Sequence, residues 1–210
     1  MRQVMEKMIE ITGILGSPRK DGASARLLNI MANEFNIIEN NEVNFEIIRL
    51  CEKDIQHCTG CDVCLKADCP LDDSDDYPEI QARLVKSDAI VIASPVYFLN
   101  VPGILKDFID RSRRMKMNRN MLQGKLLGVL VASGLRNGGG ETVANLLYGW
   151  GISQGMLPIG GLGHPILENP IAISTLQGDG LKKFRNPADG DEIGDKGAIR
   201  LAQRIYSFLK

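Results

Sequence analysis

The chain has 210 residues, 44% of them hydrophobic and 24% charged, with a formal net charge of -1. That length suits one α/β domain with a full core, and the near-neutral balance points to neither nucleic acid nor an anionic membrane as partner. The apolar runs are of strand length, short of the roughly 20 residues a membrane helix needs. Met1–Lys7 carries charge without an apolar h-region, which predicts no secretory signal and a cytoplasmic address.

Strand and helix patterns alternate along the chain. A β-rich run from Met8 to Leu15 ends at Gly16, and Ser24–Glu39 places Leu27, Leu28, Met31, Phe35 and Ile38 on one helical face. Phe45–Leu50 reads as a second, more polar strand nearer a sheet edge. Tyr77–Ser87 reads as a helix with Ile80, Leu84 and Val85 inward. Ala89–Ala93 is apolar on both faces, as buried parallel strands are. Pro102 suits the first position of a helix carrying Ile104, Leu105, Phe108 and Ile109. Lys125–Ala132 is another buried strand, Thr142–Gln154 a helix, Leu157–Gly161 a fifth strand, and about Gly197–Leu209 the last helix, with Ala198, Ala202, Ile205 and Leu209 on one face.

Five strands with intervening helices predict a doubly wound parallel sheet in a single domain over 1–210, with crossovers on both faces. Two segments break the rhythm. Residues 52–76 hold a cysteine-rich insertion after strand 2 and an acidic run, and residues 164–195 read as a long loop rich in Gly, Pro and Asp.

Ligands of such sheets bind outside the carboxyl ends of the strands. The loop Gly16-Ser17-Pro18-Arg19-Lys20-Asp21-Gly22-Ala23-Ser24 stands at that edge. Its glycines allow close approach, Ser17 and Ser24 offer hydroxyls, Arg19 and Lys20 offer charge, and the following helix points free N–H groups at an anion. Taken alone it reads equally as an ordinary polar turn that caps a helix. Neither Gly-x-x-x-x-Gly-Lys-Ser/Thr nor Gly-x-Gly-x-x-Gly occurs, which leaves a mononucleotide rather than a dinucleotide. Two more loops lie at the same edge. Ser94–Gly103, with Tyr97, Phe98 and two prolines, suits the wall of a flat ring, although aromatics more often pack a core. Ser133–Glu141, with Gly134 and Gly138–Gly140, is flexible enough to cover the other side.

Four of the five cysteines form Cys58-x2-Cys61-x2-Cys64-x4-Cys69-Pro70. Structural zinc uses two Cys-x2-Cys pairs on a longer arm, whereas this compact run resembles a bacterial ferredoxin ligand pattern, proline included. A [4Fe-4S] cluster, thiols without metal, and zinc are the three readings. A disulfide framework does not suit a reducing compartment. Cys51 reads as a packed residue, His57 and His164 as isolated histidines, Asp72–Asp76 as a solvated acidic face, and Lys182, Lys183 and Arg185 as solvated cations that could also attract a cofactor phosphate.

The stretches Gly-Ser-Pro-Arg-Lys-Asp-Gly-Ala-Ser, Ser-Pro-Val-Tyr-Phe and Leu-Lys-Asp-Phe-Ile-Asp-Arg (105–111) resemble the flavodoxin-like NADPH-dependent FMN reductase family from about residue 8 to 155. The resemblance implies a flavodoxin-like fold and FMN as cofactor. It implies phosphate held by Ser17, Arg19 and Ser24, and isoalloxazine and ribityl lined by Pro95, Val96, Tyr97, Phe98 and Asn100. By the same resemblance Ser133, Gly134 and their neighbours would complete the pocket. Ala23 departs from relatives that carry a polar residue there.

The cysteine run after strand 2 further resembles the iron-sulfur flavoprotein branch of that fold. This implies Cys58, Cys61, Cys64 and Cys69 as cluster ligands and a homodimer or homotetramer. Cluster-free relatives also carry Cys-x-Gly-Cys-x-x-Cys followed by Asp-Asp, so thiols without metal stay open. No paired carboxylates or Ser-His-Asp set stands out, so the chemistry would be the flavin's, with NAD(P)H or a ferredoxin-type protein as donor. The expected function is FMN-dependent electron transfer with a cluster. A cluster-free NAD(P)H-dependent FMN or quinone reductase and a non-enzymatic redox sensor are the competing readings.

Overall fold

A computed structural model describes residues 8–38, 42–166, 168–177, 186 and 189–210. Its sheet is parallel. β1 (Ile9–Leu15) pairs with β2 (Val43–Arg49) on one side and β3 (Ala89–Pro95) on the other, and β4 (Leu126–Ser133) follows β3. The far side of β4 is shared. β5 (Leu157–Pro158) pairs with its first residues, and β6 (Ala172–Thr175) pairs with Leu130–Ser133. The path is therefore β2-β1-β3-β4-β5, with β6 beside the second half of β4.

The apolar runs of β1, β3 and β4 are buried on both faces because helices cover both. Ile11, Leu15, Val91 and Leu130 pack with α1 (Ala23–Ile38) and α6 (Glu192–Leu209). Ile14, Ile90, Ile92, Leu127 and Val129 pack with α2 (Tyr77–Lys86), α3 (Gly103–Arg111) and α5 (Gly140–Ser153). Each fully buried Leu or Ile in these two cores contributes about 1.5–3 kcal/mol relative to exposure. A short helix, α4 (Arg113–Met117), follows α3 directly.

The structure departs from the sequence reading in five places. The fifth strand is only two residues long. The supposed loop 164–195 contains β6, and the last helix starts at Glu192, five residues early. Gly194 and Gly197 look like helix breakers, but α6 lies directly on β6 there. A β-carbon at Gly194 would meet the Ser174 side chain at 2.5 Å, and one at Gly197 the Ala172 backbone at 3.0 Å. Glu192 and Asp195 in the first turn favour that early start. Val85 faces solvent rather than the core. Pro102 caps α3 instead of opening it.

Candidate functional site

The strand order reverses between β1 and β3, the point where doubly wound sheets of this order hold ligands. A cavity of about 210 Å³ opens there, lined by residues that follow β1, β3, β4 and β6, among them Ser17, Arg19, Ser24, Tyr97, Ser133 and Leu176. The loop after β1 is tied down at its start, where the Gly16 N–H donates to the Ala93 carbonyl at 2.8 Å. A β-carbon at Gly16 would sit 2.5 Å from Leu105 Cδ2, so the chain leaves the sheet pressed against α3.

Ser17 and Ser24 are only 5% and 3% exposed although both border the cavity. The Ser17 hydroxyl accepts from the Arg19 N–H at 3.1 Å, which tightens the turn. The first helical bond of α1 runs from the Arg26 N–H to the Gly22 carbonyl at 2.9 Å, so the amides of Ala23, Ser24 and Ala25 have no acceptor within the helix. No acidic residue stands in that first turn to offset the positive end of the helix dipole. Buried hydroxyls, unpaired amides and the exposed Arg19 are the donor set a phosphomonoester requires. Lys20 lies outside the cavity lining. Its ammonium is paired with Glu52, which raises the Lys20 pKa and lowers that of Glu52.

The second wall follows β3. Val96 N–H donates to the Ala132 carbonyl at 3.0 Å, and Tyr97 and Asn100 exchange two backbone hydrogen bonds at 2.8 and 2.9 Å. The turn between them forces φ to 50° at Phe98 and 61° at Leu99, the left-handed region that glycine normally fills. Leu99 folds back onto Gly139, where a β-carbon would meet Leu99 Cδ2 at 2.5 Å. Phe98 is fully exposed at the tip. Pro95, Val96 and Tyr97 border the cavity, whereas Phe98 and Asn100 stand on the turn beyond its lining.

Ser133 and Gly134 form the third wall. The buried Ser133 hydroxyl donates to the Leu135 carbonyl at 2.8 Å, and the Leu176 N–H donates to the Ser133 carbonyl at 3.0 Å. Leu176 was missed in the sequence because the strand before it, Ala172–Thr175, was not recognised. The alternating Ile171, Ile173 and Thr175 were the available signal.

The cysteine-rich segment leaves β2 and ends at α2, at the same carboxyl edge of the sheet. Cys58 and Cys61 are exposed, Cys51, Cys64 and Cys69 are half-buried, and all five are free thiols. The Val63 N–H and the Thr59 hydroxyl lower the Cys61 pKa. The four thiols suit iron or zinc chemically, but among the described residues no three His, Cys, Asp or Glu side chains stand in ligating geometry. The acidic run is not a solvated face. Asp75 and Asp72 pair with Arg111, whose side chain is 2% exposed, and Asp72 and Asp68 pair with Arg114. His57 is not isolated either, since its Nδ1 lies 2.6 Å from Asp107, which raises its pKa. His164 Nδ1 accepts from the Ile166 N–H at 3.3 Å. Lys182, Lys183 and Arg185 lie outside the described residues.

A parallel sheet of this order, with a cavity at the carboxyl ends of its strands where the order reverses, defines a flavodoxin-like α/β protein. Residues 9–163 match the family described as NADPH-dependent FMN reductase, and the chain belongs to that family of FMN-dependent oxidoreductases. It is 37% identical to an iron-sulfur flavoprotein of Archaeoglobus fulgidus, over 94% of this chain and 94% of that protein. It is 30% identical to an iron-sulfur flavoprotein of Methanocaldococcus jannaschii, over 96% of this chain and 98% of that protein. Its fold is similar to the crystal structure of an FMN-dependent NADH-azoreductase from Bacillus anthracis in complex with FMN. That likeness has a TM-score of 0.63 at 15% identity, over 94% of this chain and 99% of the other. Among the described residues no helix is long and apolar enough to cross a membrane.

Proposed function

We propose that this oxidoreductase is an iron-sulfur flavoprotein in which a [4Fe-4S] cluster on Cys58, Cys61, Cys64 and Cys69 exchanges electrons with FMN. The observation that carries the reading is the cysteine-rich loop. It carries four free thiols close together along one short stretch of chain, at the sheet edge that also bears the proposed phosphate site, and the Lys20–Glu52 pair joins the two. The similarity to iron-sulfur flavoproteins over nearly the whole chain supports the same reading.

The buried Ser17 and Ser24 hydroxyls and the amides of the first turn of α1 hold the FMN phosphate, with Arg19 closing over it and Lys20 adding field from its ion pair. Pro95, Val96 and Tyr97 wall the ring system, with Phe98 and Asn100 at the rim of that wall. Ser133 and Gly134 close the far side. When bound, FMN accepts a hydride and releases electrons singly, which links two-electron donors to one-electron carriers. The protein binds and orients the cofactor and keeps water from its phosphate end. NAD(P)H or a ferredoxin-type protein is the donor. The apolar turn tip of Phe98 and Leu99 supports a homodimer or homotetramer, and five free thiols suit a cytoplasmic address.

Iron, sulfide and flavin analysis on anaerobically prepared protein tests the proposal. One FMN and one cluster's complement of iron and sulfide per chain are expected, with an EPR signal on reduction. A second reading, a cluster-free NAD(P)H-dependent FMN or quinone reductase, is favoured by the absence of three gathered ligands among the described residues. Rapid flavin bleaching by NADPH in iron-free protein would establish it instead.

A further inference from the structure

The cysteine-rich segment is an Ω-shaped loop with a hydrogen-bonded neck. Asp76 N–H donates to the Asp54 carbonyl at 2.9 Å, and Asp54 N–H donates to Asp76 Oδ2 at 2.8 Å. Gln56 N–H donates to Asp75 Oδ2 at 3.0 Å, and its side-chain amide reaches the Ser74 hydroxyl at 2.8 Å. Arg111, at the end of α3, sits under that neck. Its guanidinium donates to the Gln56 carbonyl at 3.3 Å, to Asp75, and to Asp72 at 2.9 Å, and lies 4.9 Å from the centre of the Tyr77 ring. One arginine thus grips both strands of the neck, and the Asp75 side chain is completely buried against it.

Two neighbouring arginines grip the arms of the loop. Arg113 pairs with Asp62, between Cys61 and Cys64, and Arg114 pairs with Asp68, beside Cys69, and with Asp72 at 2.7 Å. Three arginines of one short stretch therefore hold four aspartates, two within the cysteine run and two just after it. Each of these ion pairs joins the loop to α3 or α4, and none involves a thiol.

We propose that Arg111, Arg113 and Arg114 are positioning residues that fix the cysteine-rich loop on α3 and α4 before any metal binds, so that the thiols are presented from a preformed neck. This deepens the cluster reading and rests on it for its purpose. The preformed loop itself is separable from that reading. In many small metal sites the metal supplies the folding free energy. Here buried charge pairing supplies it, and only the tip is left to close on a ligand. Arg111 carries most of the hold because its pairs are dry, whereas the exposed Arg113–Asp62 pair is screened by salt.

Hydrogen exchange on the full-length, FMN-loaded, metal-free protein tests this. The wild type is expected to protect the neck amides of Asp54, Gln56 and Asp76, and Arg111→Gln to speed exchange there by about 100-fold or more while β1, β3, β4 and FMN binding stay unchanged. Arg114→Gln, at a more exposed site, serves if Arg111→Gln does not fold. It should loosen only the arm around Asp68 and Asp72. After anaerobic reconstitution, Arg111→Gln should need about tenfold more iron than the wild type to develop the same EPR signal, and Arg111→Lys should not rescue it, because one ammonium cannot bridge both aspartates and the Gln56 carbonyl. Wild-type neck amides at Asp54, Gln56 and Asp76 that exchange as freely as an open loop, or protection equal in wild type and variants, would overturn the proposal. If the wild type shows the protection but takes up no iron, the positioning claim stands and the cluster reading fails.

Discussion

Lys20, in the loop after β1, is paired with Glu52, the residue that opens the cysteine-rich segment after β2. Both side chains are well exposed, at 64% and 42%. The contact ties the loop after β1, the proposed phosphate site, to the thiol-bearing loop without burying charge. Lys20→Met should therefore leave the melting temperature unchanged and weaken FMN binding by no more than about threefold, an effect that fades in high salt. Flavin titration at two ionic strengths checks this. A loss of tenfold or more would mean that Lys20 leaves Glu52 to contact the phosphate directly.

The buried hydroxyls are expected to matter more. Ser17→Ala and Ser24→Ala should each cost about 1–1.5 kcal/mol of FMN binding, roughly tenfold in affinity. Riboflavin, which lacks the phosphate, should bind more weakly than FMN to the wild type. The two serine variants should narrow that gap. Fluorescence titrations with both flavins decide it, and equal losses for FMN and riboflavin would place the serines away from the phosphate.

The Tyr97–Asn100 turn holds two non-glycine residues in the left-handed region, at a cost of about 1–2 kcal/mol each. Phe98 has no packing to lose because its side chain is fully exposed. Phe98→Asn should raise stability by about 0.5–1 kcal/mol in urea unfolding while lowering flavin retention or turnover, the usual trade at a strained site. A destabilised variant with full activity would show that the turn is neither strained nor functional.

Ser112 joins α3, α4 and α5. Its hydroxyl oxygen accepts from the Trp150 indole N–H at 2.9 Å and from the Gln154 side-chain amide at 2.8 Å, all in buried surroundings. Ser112→Ala strips both donors of that acceptor and should cost about 2 kcal/mol. The urea midpoint is expected to fall with an unchanged slope. A change under about 0.5 kcal/mol would mean that water replaces the hydroxyl.

What could be read from the sequence follows from where the information lies. β1, β3 and β4 were legible because residues such as Ile90–Ile92 are apolar on both faces. Ser17, Ser24, Tyr97 and Ser133 were legible as loop residues at strand ends. β6 and the first turns of α6 were not, because Gly194 and Gly197 serve a close contact with Ser174 and Ala172 that only the folded chain reveals. Leu176 was lost along with β6. The acidic run looked solvated because its arginine partners are 36 residues or more away, as in the Arg111–Asp75 pair. No local pattern announces such a pairing.

If Cys58, Cys61, Cys64 and Cys69 hold a cluster beside FMN, the iron and sulfide content of anaerobically reconstituted wild type must exceed that of Cys64→Ser while the flavin content of the two is the same. Both proteins should hold FMN, and the wild type alone should hold a [4Fe-4S] complement with its EPR signal. Full FMN with substoichiometric iron and sulfide in the wild type, or equal iron in the two proteins, would contradict it.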